Sequence, residues 1–326
     1  PVQFEAVPGY GVLLHAQVNA AGEGAPIVLM GHMDTVFPAG TVAKRPYREE
    51  AGRAYGPGVA DMKSGLVLNV FVAEAFARCG GLKAPLHLFF SCDEEIGSPA
   101  TRDLIMARVR GARAVFNAEP GRVSGNVVTS RKGSMLVEFE VEGVAAHAGI
   151  NHAAGASAIE ALARKTLALH ALTDPATGVT ANVGVVHGGV VSNMVAPHAR
   201  AELDLRFTAD TNPEDLLARV RAIIEEESVP RTQGRITVAR STLPMKPTPD
   251  YLLALYQESA RTLGFEVQGE FTGGAADSGL TASVGVPTLC ATGPVGGHPH
   301  TEREYCELTT FVPRAQAVAL AVLRHP

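Results

Sequence analysis

The sequence predicts an α/β fold: a mostly parallel sheet covered by helices, interrupted by an inserted α+β domain. Three observations predict it. Short apolar runs alternate with stretches of helical periodicity as far as Glu119, the pattern of parallel strands joined by helices. Near Gly125 the texture changes to runs in which apolar and acidic residues alternate, the mark of a sheet with one wet face, usually antiparallel. From Pro247 the first texture returns. The expected division is one domain split between 1–124 and 241–326, with 125–240 inserted. The insert has about a hundred residues, enough for its own core.

The elements follow in order. Residues 1–30 read as strands: Gly9-Tyr10-Gly11 is a turn before strand formers, Ala20-Ala21-Gly22-Glu23-Gly24 is another, and Pro26-Ile27-Val28-Leu29-Met30 is a buried strand. Residues 63–77 are apolar at helical spacing and free of proline. Pro85-Leu86-His87-Leu88-Phe89-Phe90 reads as the next buried strand. Residues 98–109 read as a helix with Ser98 as cap and Pro99 in its first position. Arg113-Ala114-Val115-Phe116-Asn117 is a third buried strand. In the insert, residues 135–142 and 199–207 alternate apolar and polar side chains. Helices are expected at 156–170 and 215–227, and strands at 182–186 and 235–239. The closing elements are a helix at 251–263, a strand at 286–290 and a last helix at 310–323.

Composition excludes several classes. The 326 residues are 46% hydrophobic and carry a net charge of −5 with no long run of one sign, so no nucleic-acid surface or acidic tail is expected. No apolar stretch reaches the length of a membrane span, so no membrane partner is expected either. Cys79, Cys92, Cys290 and Cys306 show neither paired metal-knuckle spacing nor a disulfide framework. Cys92 and Cys290 read as reduced packing residues beside apolar strands. The chain opens at Pro1 without a methionine, a signal peptide or a leading helix. It is expected to be trimmed. A cytoplasmic location is the expectation, with the periplasm or secretion open if a leader is lost from view.

The chemistry gathers around Ser91-Cys92-Asp93-Glu94-Glu95-Ile96-Gly97, which follows a buried strand. An isolated Glu-Glu pair is most often a solvated acidic turn. Here other chemically able residues also stand at the ends of apparent strands: His32, Asp61, Glu119 and His300. In open α/β sheets, sites form outside the carboxyl ends of strands. If 94–95 is extended, its side chains point opposite ways, so one carboxylate can bind a metal while the other stays free as a base. Asp61 precedes a helix and has helix capping as its alternative role.

Eight short motifs stand in order along the chain. They are Gly31-His32-Met33-Asp34-Thr35-Val36, Tyr55-Gly56-Pro57-Gly58-Val59-Ala60-Asp61, Asp93-Glu94-Glu95, Ala118-Glu119-Pro120, Ala146-His147-Ala148-Gly149, Val191-Ser192-Asn193, Thr272-Gly273-Gly274 and His300 with Glu304-Tyr305. Each alone is weak. Their joint order over nearly the whole chain resembles the M20 family of co-catalytic zinc peptidases and deacylases, and within it the glutamate carboxypeptidases.

The resemblance implies two Zn2+ per chain. His32, Asp61 and Glu119 would hold one ion, and Asp61, Glu95 and His300 the other, with Asp61 as the bridge. His300 rather than His298 matches the family pattern, in which the histidine stands four residues before Glu-Tyr. Glu94 would be the general base, and Asp34 would orient the His32 imidazole. His147 would polarise the scissile carbonyl or stabilise the oxyanion. Arg206 and Asn193 would bind a substrate carboxylate, with a surface arginine and a turn residue as the plain alternatives. Gly273 and Gly274 would let backbone approach substrate, or simply form a turn. His152, His187 and His198 receive no role.

The resemblance further implies a zinc-peptidase-like catalytic domain and an inserted lid or dimerisation domain. It implies a homodimer in which His147 completes the partner's site, and residues 135–142 are expected to leave a sheet edge open to that partner. The implied activity is hydrolysis of an amide next to a free carboxylate, releasing C-terminal glutamate or a similar amino acid from N-acyl or peptidyl substrates. The alternatives are an N-acyl-amino-acid deacylase or desuccinylase, and a non-catalytic binding protein on the same scaffold. The intact ligand set and Glu94 argue against the last. A serine hydrolase lacks its Gly-x-Ser-x-Gly elbow.

Overall fold

The strand that carries His32 is buried at every one of its six residues, and the largest sheet is assembled around it. The computed structural model describes residues 1–326 and divides into two units. The first holds Pro1–Arg131, Met245–Thr272 and Ala276–Pro326; the second holds Lys132–Pro244 with Gly273–Ala275.

The first unit opens with β1 (Val2–Val7), β2 (Gly11–Val18), β3 (Ile27–His32), α1 (Ser64–Cys79), β4 (Leu86–Ser91), α2 (Arg102–Val109), β5 (Ala114–Asn117) and β6 (Val127–Arg131). The second unit follows with β7 (Gly133–Glu142), α3 (Ala158–His170), β8 (Thr180–Gly188), β9 (His198–Phe207), α4 (Pro213–Glu225) and β10 (Gln233–Thr242). The chain then returns to the first unit with α5 (Asp250–Thr262), β11 (Gly269–Thr272), α6 (Ser278–Ser283), β12 (Thr288–Cys290) and α7 (Phe311–Arg324).

The large sheet runs β1-β2-β4-β3-β5-β12-β6-β11. β4, β3, β5 and β12 are mutually parallel. Their carboxyl ends therefore lie along one edge, and that edge receives His32, Ser91 and Asn117. On one face Ile27, Leu29, Leu88, Phe90 and Phe116 pack against Leu68, Val72 and Phe76 of α1, Tyr256 of α5 and Val318 of α7. Each such side chain, fully buried, contributes roughly 1.5–3 kcal/mol. Gly65 in α1 has no room for a side chain, since a Cβ there would lie 1.9 Å from the carbonyl oxygen of Ala118. This close approach lays the start of α1 against the end of β5.

Two expectations are corrected in this unit. The boundary expected at 124/125 lies after Arg131, because β6 pairs with β11 and β12 in the large sheet. The helix expected from Ser98 begins at Arg102, and Ser98 itself has φ 54°. Tertiary bonding overrides the local cap signal there. Asp93 accepts hydrogen bonds from the backbone of Ala100 and Thr101 and from the Thr101 hydroxyl, while the Ser98 hydroxyl donates to Asp277.

In the second unit an antiparallel sheet runs β8-β9-β7-β10. Met135, Val137, Phe139 and Val141 face the core, with Leu162 of α3 and Leu216, Val220 and Ile224 of α4. Ser157 caps α3 by accepting from the Glu160 amide, and Asn212 caps α4 with Pro213 in its first turn. The run 135–142 is not an edge, as the sequence reading had it. β7 is paired on both sides, and the open edges belong to β8 and β10. Alternation reports a wet face, and it is the same for inner and outer strands of a one-sided sheet.

All four cysteines are free; Cys290 and Cys306 are buried, Cys92 is half-buried and Cys79 exposed. No helix is long and apolar enough to cross a membrane. One buried cation ties the last helix to the loops beside the sheet edge. Arg314 donates to the carbonyls of Gly293, Ala291 and Gly125, the last at 2.9 Å. Arg314→Met would strand three carbonyls and should lower the unfolding free energy by about 2–4 kcal/mol. Urea unfolding checks this; an unchanged midpoint would show that water replaces the guanidinium.

Candidate metal centre

Six side chains meet at the edge where the parallel strands end. His32 is the last residue of β3. Glu94 and Glu95 follow β4, and Glu119 follows β5. Asp61 lies in the irregular turn Val59–Lys63 that leads into α1, and His300 in the loop before Tyr305–Glu307.

Asp61 stands between the two histidines. Its Oδ1 lies 3.1 Å from His32 Nε2, and its Oδ2 lies 3.2 Å from His300 Nε2. Glu119 Oε1 is 3.8 Å from His32 Nε2, and Glu95 Oε2 is 3.1 Å from His300 Nε2. Glu94 Oε2 is 3.9 Å from His32 Nε2. His298 instead sets its ring edge-on to Tyr305, 6.0 Å between centroids. Asp61 is not a helix cap: Lys63 occupies that position, and Asp61 has non-helical φ and ψ of −108° and 94°. The Asp61–Met62 peptide is cis.

Glu94 and Glu95 are not extended, as expected, but open a single 3₁₀ turn, Glu94–Ile96, closed by left-handed Gly97. Asp34 produces that turn. Its carboxylate accepts from the amides of both Glu94 (3.2 Å) and Glu95 (2.9 Å). Its own backbone carbonyl lies 3.1 Å from His32 Nδ1, and a carboxylate oxygen lies 3.4 Å from the same nitrogen. Asp34 thus holds His32 by Nδ1, leaving Nε2 to face Asp61, and holds the acidic pair with the same side chain.

The donor set is suited to cations. The ligand atoms of His32, Asp61 and Glu95 lie within 4.8 Å of one another. Glu95 Oε1 is buried with no hydrogen-bond partner. Four carboxylates face only two imidazoles, an imbalance that divalent ions with nitrogen and oxygen ligands relieve.

In the metal-free chain the electrostatics are strained. Burial, reinforced by the charge on Glu119, pushes the Glu94 carboxyl well up. Burial and Asp61 push Glu119 to about 7, with buried Arg131 pulling the other way. Hydrogen bonds to Asp61 and Glu95 raise His300 to about 10. Burial opposes the charge on His32, but Asp34, Asp61 and the other carboxylates raise it. For Asp61 burial is likewise outweighed, and the two histidines lower it.

The remaining expected residues lie elsewhere in the chain. His147, Asn193 and Arg206 belong to the second unit. His147 is exposed, and its Nδ1 accepts from the amides of Gly149 and Ile150, both at 3.2 Å. The Asn193 carbonyl accepts from the Ala148 amide at 2.9 Å, which ties the two segments together. Arg206 Nε donates to Asp204 at 3.0 Å on the wet face of β9. Gly273 and Gly274 lie just after β11, and a Cβ at Gly273 would meet nothing within 4 Å. Sequence reasoning gave no role to Arg131 or Asp277. Burial raises Asp277 to about 6, and its carboxylate accepts from Ser91 and Ser98 behind the acidic pair. Neither residue stands in a motif with recognisable spacing.

This fold and this donor set define a metal-dependent hydrolase. The match to known proteins gives its family. Residues 28–324 match the peptidase family M20/M25/M40, and the chain belongs to it. It is 28% identical to carboxypeptidase G2 of a Pseudomonas species over 309 residues, covering 92% of this chain and 74% of that protein. It is 29% identical to succinyl-diaminopimelate desuccinylase of Burkholderia lata, covering 88% and 79%. The M20 metallo-carboxypeptidase Sso-CP2 of Sulfolobus solfataricus shares the fold, with a TM-score of 0.81 at 17% identity over 100% of this chain and 90% of that one.

The pKa shifts set the sign of a pH dependence in the metal-free protein. Glu94 and Glu119 have folded values above their unfolded 4.5, so both contributions fall as pH rises above that value, that of Glu119 through about 7. His300 stabilises fully below its unfolded value of 6.5, and that contribution is lost as pH rises toward about 10. Both act in one direction between pH 5 and 9. Asp61, being lowered, matters only below its unfolded value of 3.8. The melting temperature in chelator should therefore fall from pH 5 to 9. Calorimetry checks this; a metal-free protein that gains stability over that range would contradict it.

Proposed function

We propose that the chain is a two-zinc amide hydrolase acting on substrates with a free carboxylate beside the scissile bond. A C-terminal glutamate or similar residue on an N-acyl or peptidyl group is the first choice. The observation that carries the reading is the division of Asp61, one oxygen toward His32 and the other toward His300. A carboxylate so placed is suited to bridge two ions. His32 and Glu119 would complete one position, and Glu95 and His300 the other. When bound, the two ions would supply Lewis acidity that polarises the amide carbonyl and acidifies the attacking water.

The side chains of this protein account for the rest. Glu94 would take a proton from water as the oxygen adds to the amide carbon. It would return that proton to the nitrogen as the C–N bond breaks. Its partly buried position beside the ligands, without the contact that Glu95 makes to His300, supports that role. In neutral His147 the proton sits on Nε2, because Nδ1 accepts two backbone amides. His147 can then donate to a developing oxyanion. Arg206 and Asn193 would bind the substrate carboxylate, and open space around Gly273 leaves room for substrate near Gly273 and Gly274.

The relatives favour two substrate classes. Likeness to carboxypeptidase G2 supports release of a C-terminal amino acid, and likeness to the desuccinylase supports removal of an acyl group as the second reading. A screen of N-acyl amino acids and dipeptides with zinc-loaded protein separates them. The protein should carry close to two zinc equivalents by elemental analysis. Glu94→Gln should keep that metal but slow turnover by about 10²–10⁴-fold. Well-folded protein that takes up no metal would sink the reading, and near-normal turnover in Glu94→Gln would reassign the base.

We further propose that the chain works as a homodimer in which His147 serves the partner's site. The open edge of β8, with Val185 and Val186 exposed, is suited to pair with a second copy. Mixing Glu94→Gln chains with His147→Ala chains, each nearly inactive, should restore roughly a quarter of normal activity. Random exchange makes about half the dimers mixed, each with one intact site. No recovery, with subunit exchange shown independently, would place His147 in its own chain's reaction.

A further inference from the structure

Glu304 has entered so far only as a landmark for choosing His300. Its side chain is fully buried, which is uncommon for a carboxylate. Its partners are three backbone amides. Oε2 accepts from Gly58 at 2.9 Å, and Oε1 accepts from Ala60 and from Asp61, each at 3.0 Å. All three amides lie in the turn that delivers Asp61. Gly58 has φ 70°, a left-handed conformation that favours glycine and lets successive amides converge on one acceptor.

Glu304 also belongs to the loop that delivers the other partner. It lies four residues after His300, and its amide donates to the Thr301 carbonyl at 3.2 Å. The next residue, Tyr305, pairs opposite Tyr55, just before the Gly56–Asp61 segment. One carboxylate therefore joins the loop of Asp61 to the loop of His300. The two ligand atoms so held, Asp61 Oδ2 and His300 Nε2, are 3.2 Å apart.

We propose that Glu304 is a positioning residue of the metal centre: by gathering the three amides it sets Asp61 and His300 at the separation one ion can span. The proposal rests on the two-ion reading of the site. The geometry demands a carboxylate in particular. Both oxygens accept, so an amide side chain of the same size would turn an NH₂ toward at least one backbone N–H. Two donors would then face each other in a buried place. The turn would shift, and Asp61 with it.

The test uses Glu304→Gln and the shorter acid Glu304→Asp in the full chain, with Leu252→Ala in the core of α5 as a control that loosens the fold away from the site. Two quantities are read: zinc affinity by titration of metal-free protein, and hydrogen exchange of the Gly58, Ala60 and Asp61 amides. Glu304→Gln should weaken the less tightly held zinc by about 10–100-fold, the usual effect of removing a group that orients a ligand. It should also lose amide protection in that turn alone. Glu304→Asp should fall between Gln and the parent. Leu252→Ala should lower the melting temperature and leave zinc affinity as in the parent. Parent-like zinc affinity in Glu304→Gln, or a loss matched by Leu252→Ala at equal melting temperature, overturns the positioning role. A parent protein that binds no zinc overturns the metal reading and the positioning role together.

Discussion

Too many carboxylates in one buried place is the constraint on which this structure turns. Asp61, Glu94, Glu95 and Glu119 converge within reach of only two imidazoles. Buried charge of one sign is costly unless it is paired or coordinated. In the metal-free protein burial raises Glu94 and Glu119, and the carboxylates raise both histidines. A fold that tolerates this arrangement must keep the groups from moving apart, and much of the first unit can be understood as doing so.

The parallel sheet provides the convergence. Four parallel strands end at one edge, so residues distant in sequence arrive together without long loops. Finer placement comes from acids that spend their oxygens on backbone amides. Asp34 holds the turn of Glu94 and Glu95, Asp93 holds the segment that leads into α2, and Glu304 holds the turn of Asp61. These bonds are local to the site and buried or partly buried. They also explain why the chain departs from its own helix-start signal at Ser98. A carboxylate that satisfies two amides outweighs a cap worth about 1 kcal/mol.

The second unit answers a different demand. It has its own core between a four-stranded antiparallel sheet and two capped helices. His147, Asn193 and Arg206 belong to this unit. His147 is held by two backbone amides rather than by a carboxylate, so its ring stays a donor at Nε2.

Local pattern by itself determined most of the architecture. The alternation of apolar runs and helical spacing gave the parallel sheet, and the switch to a two-residue period gave the inserted unit, because side-chain periodicity follows directly from backbone geometry. The side chains that cluster at the sheet edge were legible as candidates, since each stands at a strand end, in a glycine-rich turn or in a loop beside it. Register and partnership were not legible. That residues 135–142 form an inner strand, that β6 belongs to the first sheet and that Glu94 and Glu95 share one turn depend on contacts between segments far apart in sequence. Only the tertiary structure decided the task of Glu304. A carboxylate's value is set by which amides surround it, and those amides lie some 243 to 246 positions away along the chain.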